Sequence, residues 1–173
     1  MKKSKSFKVV LLGDGSVGKT SIRQQYLGFG FKSRYSMTIG ADFAVKREKE
    51  NIIQIWDLAG QARFKTVREV YYQNAVGAIV IFDVTKRKTF QSVPKWLKEL
   101  LTHNKNKIIP IILVGNKIDL RQSTSVQQEE GIKYAEKLSK WANLDIPYIE
   151  TSAKTDLNVN KVFATLLKNM IKN

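Results

Sequence analysis

The stretch that decides the fold is Gly13-Asp14-Gly15-Ser16-Val17-Gly18-Lys19-Thr20. An apolar run over residues 7–12 precedes it and a helical pattern over 19–26 follows it, so the order is strand, tight loop, helix. This matches G-x-x-x-x-G-K-[ST], in which backbone N–H groups and a helix N-terminus surround phosphate groups. Lys19 would add positive charge for the outer phosphates, and the Thr20 hydroxyl is a suitable ligand for Mg²⁺. We therefore predict a phosphate-binding loop here rather than a simple glycine-rich turn.

Length and composition predict one globular domain over residues 1–173, because 173 residues with 43% hydrophobic content can bury a sizeable core. No window contains the roughly 18 apolar residues of a membrane span, and residues 1–6 form a basic tail without the apolar run of a signal peptide. The chain has no cysteine, which excludes disulfides and a prenyl anchor within this sequence. These features predict a cytoplasmic monomer.

The charge is strongly basic, with 30 Lys+Arg against 15 Asp+Glu and a net charge of +15. Such a surface attracts anionic partners, including acidic lipid head groups and nucleic acids. The basic residues are scattered over the tail, residues 46–47, residues 86–88 and residues 133–140, without interleaved aromatic residues. This distribution favours a solvated basic surface over a nucleic-acid groove. We expect no DNA partner and retain an anionic membrane surface as an alternative.

Hydrophobic periodicity predicts strands alternating with helices. The strands are predicted at 7–12, 38–47, 52–56, 76–82, 108–114 and 147–150, and the helices at 19–26, 66–73, 88–103, 125–141 and 159–171. The second and third strands form a hairpin, and Ser125 or Thr124 is the expected cap of the fourth helix, with Ile132 on its inner face. This predicts a three-layer α/β fold with a six-stranded, mostly parallel sheet, one antiparallel strand and helices on both faces. Ligands in such folds bind beyond the carboxyl ends of the strands.

A second motif, Asp57-Leu58-Ala59-Gly60-Gln61, directly follows the third predicted strand. Asp57 there would hold Mg²⁺, Gly60 would offer a backbone N–H to a terminal phosphate, and Gln61 would orient an attacking water. Asp-x-x-Gly alone is common in loops. Its place after an apolar strand and downstream of the phosphate loop makes it informative.

Two further motifs follow the fifth and sixth predicted strands, Asn116-Lys117-Ile118-Asp119 and Thr151-Ser152-Ala153-Lys154. A carboxylate at Asp119 would accept two hydrogen bonds from guanine. Adenine has no matching donors and would leave the buried acceptor unpaired. A backbone N–H in the last motif would donate to the guanine O6. Each tetrapeptide alone is as well explained as a turn, but together they predict a guanine site.

In this order the motifs resemble those of the small GTPases of the Ras superfamily, and the resemblance covers nearly the whole chain. Within that superfamily the chain is most similar to the Rab branch. The stretches that carry this resemblance are residues 39–43, 56–64 and 71–75. The resemblance implies the P-loop NTPase fold, GTP hydrolysis with Mg²⁺, slow intrinsic turnover, and switch segments at about 30–38 and 57–70. It also implies effector, GTPase-activating and exchange proteins as partners, and a role in vesicle trafficking or signalling.

The resemblance also implies roles for individual residues. Thr38 would reach Mg²⁺ and the γ-phosphate in the triphosphate state, so the metal set is Thr20, Thr38 and Asp57, and the catalytic set is Gln61, Lys19 and Thr38. Phe31 would pack on the guanine and Tyr35 would close over the phosphates. Asn116 and Lys117 would brace the base and the loop, Ala153 would donate to O6, and Ser152 would support Asp119. The predicted nucleotide-binding residues are Gly13, Asp14, Gly15, Ser16, Val17, Gly18, Lys19, Thr20, Ser21, Phe31, Tyr35, Thr38, Gly60, Asn116, Lys117, Asp119, Ser152, Ala153 and Lys154.

The sequence departs from the Rab pattern at several positions. Leu58 stands where Rabs usually have Thr, and Ala62 where the family usually has a Glu implicated in nucleotide exchange. Gly15 leaves room beside the γ-phosphate for Gln61 or an incoming arginine, whereas a cis arginine finger at Arg34 is less favoured than a solvated loop arginine. The alternative functions are a GTP-dependent adaptor on acidic membranes and an RNA-associated GTPase. An ATP-dependent kinase is disfavoured by residues 116–119.

Overall fold

The computed structural model describes residues 5–33 and 37–172. The strands are β1 (Ser6–Leu12), β2 (Ala41–Glu48), β3 (Asn51–Leu58), β4 (Gly77–Asp83), β5 (Ile111–Asn116) and β6 (Tyr148–Glu150). The α-helices are α1 (Lys19–Tyr26), α2 (Lys65–Glu69), α3 (Arg87–Gln91), α4 (Val93–His103), α5 (Gln128–Ala142) and α6 (Val159–Lys172). Short 3₁₀ turns cover Ala62–Phe64, Val70–Tyr72 and Ile118–Leu120.

The strands form a six-stranded sheet in the order β2-β3-β1-β4-β5-β6. Every neighbouring pair is parallel except β2 with β3, which are antiparallel and join through a tight turn after Glu48. This confirms the predicted fold class: a mostly parallel sheet with one antiparallel strand and helices on both faces, as in the P-loop NTPase fold.

The central strands are covered on both faces, which explains their continuous apolar runs. All residues of β4 and β5 are buried. One face of the sheet packs with α4 and α5 around Trp96, Phe82 and Leu138. The opposite face packs with α1 and α6 around Ile22 and Phe163. The two cores hold β1, β4 and β5 rigidly, so the loops that leave their carboxyl ends start from fixed points.

Two local predictions were wrong. The helix predicted at 88–103 is divided at Ser92 into α3 and α4, and Pro94 lies in the first turn of α4, where a missing N–H costs no helical bond. The helix predicted to start at Ser125 or Thr124 begins at Gln128. Its cap is Gln127, whose side chain and that of Glu130 form a reciprocal capping box.

The neighbouring residues explain that second correction. Ser125 is buried, and its hydroxyl accepts a hydrogen bond from the Gln122 N–H at 2.9 Å, so it closes a turn instead of capping a helix. With the later start, the inner face of α5 carries Ala135 and Leu138, as predicted, but Ile132 is exposed. Helices long and apolar enough to cross a membrane are absent from residues 5–33 and 37–172.

The parallel arrangement brings five loops to one edge of the sheet. Segments 13–18, 59–61, 84–86, 117–121 and 151–158 follow the carboxyl ends of β1, β3, β4, β5 and β6. All the predicted motifs lie in these loops or at the strand ends that lead into them. Of the predicted basic tail, residues 1–4 lie outside the described part of the chain, and Ser6 already begins β1.

Candidate functional site

The loop at residues 13–18 requires glycine at its two ends. Gly13 has φ of +142°, and a Cβ there would lie 2.1 Å from the Ile81 carbonyl oxygen. Gly18 has φ of +104°, and a Cβ there would lie 2.2 Å from the side-chain nitrogen of Asn116. Both the backbone conformation and the close approach therefore exclude a side chain. Helix α1 begins at Lys19, so the loop lies at a helix N-terminus, which favours bound anions.

Lys19 lies beneath this loop and is buried. Its Nζ donates hydrogen bonds to the carbonyl oxygens of Gly13 at 2.9 Å and Asp14 at 2.8 Å. Burial lowers the pKa of Lys19 to about 8, although the charges of Asp57 and Asp14 oppose this shift. An added anion beside the ammonium would favour its charged form. The arrangement therefore suits a phosphate group in the loop.

Three side-chain oxygens meet beside the loop, from Thr20, Thr38 and Asp57. The two threonine hydroxyl oxygens are 3.0 Å apart, and the Thr38 hydroxyl is 3.4 Å from Asp57 Oδ2. The Thr20 hydroxyl donates to the same carboxylate oxygen. Asp57 is fully buried, its Oδ1 has no hydrogen-bond partner, and burial raises its pKa. A buried carboxylate with one unpaired oxygen next to two hydroxyl groups fits a divalent cation.

The chemistry of these donors favours Mg²⁺ over other metals. All three are oxygen ligands, which hard cations prefer. Among residues 5–33 and 37–172, His, Cys, Asp and Glu form no cluster of three or more that would enclose a metal by itself. Mg²⁺ characteristically binds one or two protein oxygen ligands together with substrate phosphates and water. The residues present therefore fit Mg²⁺, with Thr20, Thr38 and Asp57 as the groups that would hold it.

The segment around Gly60 is pressed against the phosphate loop. A Cβ on Gly60 would lie 2.4 Å from the backbone of Asp14 and 2.5 Å from the backbones of Gly13 and Gly15. The Gln61 side chain lies over Gly15, where a Cβ would be 3.4 Å from Gln61 Nε2. The structure thus brings Gln61 beside the loop, in the space that Gly15 leaves open.

These groups surround a cleft of about 590 Å³, a usual size for a small-molecule site. Its lining contains Gly15, Ser16, Gly18, Lys19, Thr20, Ser21, Gln24, Phe31, Lys32, Ser33, Thr38, Gly60, Gln61 and Lys117. Gln24, Lys32 and Ser33 belong to it without having been predicted. Val17 is buried in the core, so it can contribute only its backbone. Tyr35 and Arg34 lie outside the described residues.

The predicted base site is a closed hydrogen-bond network. The Asn116 side chain donates to the Val17 carbonyl at 2.9 Å and accepts from the Thr151 hydroxyl at 3.0 Å and the Ala153 N–H at 3.2 Å. The Ser152 hydroxyl donates to Asp119 at 2.6 Å, as the resemblance implied. Because the Ala153 N–H is bonded to Asn116, its donation to guanine O6 stays a prediction. Lys154 is exposed on the turn that follows β6.

Lys117 connects the base site to the phosphate loop. Its backbone is left-handed, with φ of +67°, and its Nζ donates to the Ser16 carbonyl at 2.7 Å. The same ammonium lies 2.7 Å from a carboxylate oxygen of Asp83, at the end of β4. Lys117 therefore braces the loop as predicted, and Asp83 is an additional partner that the sequence did not reveal.

Three contributors from α4 and α2 were also missed. Trp96 donates its indole N–H to the Asp14 carboxylate at 2.8 Å. Arg68 and Glu99 form a buried ion pair behind residues 59–61. The one available signal is Glu99 itself, a carboxylate among Trp96, Leu97 and Leu100 on the apolar face of α4. Such a position requires a buried partner.

The aromatic residues singled out in the sequence form a connected row. The rings of Phe43 and Trp56 are 4.7 Å apart between centroids, and those of Trp56 and Tyr71 are 5.2 Å apart. Trp56 and Tyr71 are half-buried, whereas Phe43 remains 46% exposed. The row therefore extends from the core to the surface of the β2–β3 hairpin, close to both predicted switch segments.

Comparison with known proteins agrees with this geometry. The family model "Ras family" matches residues 8–172. The "Ras-related protein RABA1b" of Arabidopsis thaliana is 42% identical over 165 residues, which are 93% of this chain and 73% of that protein. The "Ras-related protein RIC2" of Oryza sativa subsp. japonica is 41% identical over the same shares. The "Ras-related protein Rab11B" of Nicotiana tabacum is 39% identical over 170 residues, 96% of this chain and 75% of that protein. The chain therefore belongs to the Ras family of small GTPases, as a Rab-like member.

Proposed function

We propose that the protein is a molecular switch that binds GTP and GDP with Mg²⁺ and hydrolyses GTP to GDP at the cleft around residues 13–20. The observation that carries this proposal is the meeting of Thr20, Thr38 and Asp57. These residues come from α1, the segment before β2 and the end of β3. An ordinary phosphate-binding loop would not require Thr38. Its presence links the metal site to the segment that changes with nucleotide state.

The hydrolysis step requires a water in line with the γ-phosphate. Gln61 orients that water and Lys19 stabilises negative charge on the phosphate oxygens, while the Gly60 N–H faces the terminal phosphate. Mg²⁺, when bound, neutralises charge on the β- and γ-phosphates. No arginine finger is assigned in the described cleft. Intrinsic turnover is therefore slow, on the order of 10⁻⁴ to 10⁻² per second, as is usual for such enzymes without one.

The switching element is the pair of segments 30–38 and 57–70. With GTP, Thr38 and Gly60 hold them on the nucleotide, and loss of the γ-phosphate releases both. Their surroundings expose apolar side chains: Phe29, Phe31, Ile39, Phe43, Val45, Val67 and Val70. Exposed apolar surface of this extent is typical of a protein-binding site. Effectors bind here, and activating and exchange proteins act on the same segments, with a role in vesicle trafficking.

Guanine specificity comes from Asp119. Its carboxylate is oriented by the Ser152 hydroxyl and would accept hydrogen bonds from the two donors of guanine. The ring of Phe31, at the rim of the cleft, packs on the base. Adenine offers no equivalent pair of donors, so the carboxylate would be left unpaired. The protein therefore selects GTP over ATP.

The decisive experiment has two stages. Nucleotide extracted from the purified protein should be GDP or GTP, and competition should favour GTP over ATP by at least about 100-fold. Gln61→Leu should then abolish most hydrolysis and leave GTP affinity unchanged, because the side chain orients water without holding the nucleotide. Equal affinity for ATP would overturn the guanine assignment, and full turnover in Gln61→Leu would overturn the assigned role of Gln61.

The net charge of +15 favours one additional property, peripheral binding to anionic membranes. Flotation with liposomes that contain 30% phosphatidylserine should recover the protein at about 50 mM salt and lose it at about 500 mM, because salt screens the attraction. Neutral liposomes are the control. Absent binding, or binding that salt does not change, would overturn this part of the proposal.

A further inference from the structure

A buried ion pair lies directly behind the proposed hydrolysis site. The guanidinium of Arg68 and the carboxylate of Glu99 are almost completely buried, at 0% and 5% side-chain exposure. Arg68 Nη2 donates to one carboxylate oxygen at 3.1 Å, while Arg68 Nε and the Tyr72 hydroxyl donate to the other. Burial alone would raise the pKa of Glu99, but these hydrogen bonds outweigh it and lower that pKa. Glu99 is thus fully satisfied as a buried anion.

The remaining nitrogen of the guanidinium holds the backbone on both sides of Gly60. Arg68 Nη1 donates to the Gln61 carbonyl at 2.9 Å and to the Ala59 carbonyl at 3.2 Å. Gly60, between these two carbonyls, is pressed against the backbone of residues 13–15. The positions of the Gly60 N–H and of the Gln61 side chain relative to the phosphate loop therefore depend on Arg68.

Helix α4 connects this clamp to the loop itself. Trp96 lies one turn before Glu99 on the same face of α4, and the Arg68 guanidinium lies over its ring at 4.6 Å. The indole N–H of Trp96 donates to the Asp14 carboxylate of the phosphate loop. One face of a rigid helix thus contacts both the loop and the segment that carries Gln61, which fixes their separation.

A buried ion pair that serves only stability would need no such placement. Replacing a buried pair with apolar residues of similar volume is often neutral or stabilising, so the pair is weak evidence for a stabilising role. The two carbonyl contacts lie instead at the residues that define the hydrolysis geometry. We propose that Arg68, held by Glu99, is a positioning residue for GTP hydrolysis that sets Gly60 and Gln61 against the phosphate loop. This inference rests on the proposed GTPase function.

The test separates positioning from stability by removing the whole buried pair. The variant Arg68→Met/Tyr72→Phe/Glu99→Met replaces each buried polar group with an apolar one, so no charge or hydroxyl is left unpaired. We expect a melting temperature and a GTP dissociation rate close to those of the wild type. Single-turnover GTP hydrolysis should fall about 10- to 100-fold, since small misplacements of reacting groups have effects of that size.

Arg68→Lys is a second variant that keeps a positive charge beside Glu99. One ammonium cannot hold the carboxylate and both carbonyls at once, so hydrolysis should fall about 5-fold or more at unchanged GTP affinity. The matched control is Arg87→Met, which breaks the surface bidentate pair of Arg87 with Glu130. It should hydrolyse GTP at the wild-type rate.

The outcomes distinguish this inference from the proposed function. Wild-type hydrolysis together with an unchanged rate in the triple variant, or in Arg68→Lys if the triple variant does not fold, would overturn the positioning role alone. A loss of hydrolysis matched by an equal rise in GTP dissociation would also overturn it, because the whole site would then have loosened. Wild-type protein that binds GTP without hydrolysing it would overturn the proposed function first.

Discussion

The two halves of the cleft differ in how their polar groups are satisfied. On the base side, Asn116, Thr151, Ala153, Ser152 and Asp119 are bonded to one another and to the loop. On the phosphate side, a buried oxygen of Asp57 has no hydrogen-bond partner and the neighbouring surface is apolar and exposed. The base side is thus organised by the protein itself. The phosphate side is completed by what binds there, which is the property a switch needs.

This difference has energetic consequences. A preorganised base site loses little conformational freedom when a nucleotide binds, so its contacts contribute to affinity in both nucleotide states. Groups on the phosphate side, in contrast, distinguish the two states only through contacts with the γ-phosphate and its metal. Substitutions on the base side should therefore change affinity, whereas those on the phosphate side should change hydrolysis and state dependence.

Asp119→Ala should have the largest effect. It removes the carboxylate that reads guanine while leaving the phosphate loop intact, so GTP affinity should fall by about 100-fold or more and selectivity over ATP should be lost. Competition binding with GTP, GDP and ATP measures both. GDP affinity should fall equally, since the base side is the same in both states. A loss confined to GTP would contradict the distinction between the two halves.

Gly60→Ala tests the phosphate side. Its Cβ would lie 2.4–2.5 Å from the backbone of residues 13–15, so segment 59–61 must move away from the loop. GTP hydrolysis should fall about 10- to 100-fold, while GDP affinity should change less than threefold. Gly28→Ala is the control, because a Cβ there has no atom within 4 Å although φ is also positive. Equal effects of the two variants would show that backbone strain, and not the contact, is responsible.

The order of elements and the location of the site were predictable because the relevant signals are local. Each motif directly follows an apolar strand, and parallel strands bring their carboxyl ends to one edge. Thr38, Asp57 and Thr20 were expected together, and the structure places them together. The division of the helix at Ser92 was not predictable, because the apolar spacing of Phe90, Val93 and Trp96 continues across it.

The missed parts of the site depend on tertiary contacts. Asp14 and Trp96 are 82 positions apart, and Arg68 and Glu99 are 31 apart. Sequence patterns describe which face of a helix is apolar, but not which loop that face will contact. The cap at Gln127 was missed for a different reason: glutamine is an uncommon cap residue, and the capping box is recognisable only from Glu130 three positions later.

Thr151→Val probes how much of the base-side organisation comes from a single buried hydroxyl. That hydroxyl is fully buried and donates to Asn116 at 3.0 Å, so Val keeps its shape and leaves one acceptor short of a partner. The cost should be about 1–2 kcal/mol. GTP and GDP dissociation should each become about 5- to 30-fold faster if that cost falls on the bound state. Measurement with a fluorescent guanine nucleotide gives both rates, and unchanged hydrolysis of bound GTP would sharpen the separation of the halves.

The smallest expected effect concerns the acid stability of α5, which supports the base side from behind. The hydrogen bonds from Arg87, and then from the Gln127 N–H, lower the pKa of Glu130 to about 2 from an ordinary value of 4.5. Because this pKa is lower in the folded protein, the stabilisation is present above about pH 4.5 and is lost as the pH falls towards 2. The pair is partly exposed, so solvent screening keeps its contribution below about 1 kcal/mol.

Glu130→Gln isolates that contribution, because glutamine can still accept the Gln127 N–H bond but carries no charge. The variant should melt slightly below the wild type at pH 7, and the difference should shrink at pH 3. Other carboxylates titrate equally in both proteins and cancel in this comparison. A difference that stays constant with pH would show that the shape of the capping box, and not the charge, carries the effect. GTP affinity should be equal in both proteins at pH 7, because the network from Asn116 to Asp119 is held by its own hydrogen bonds.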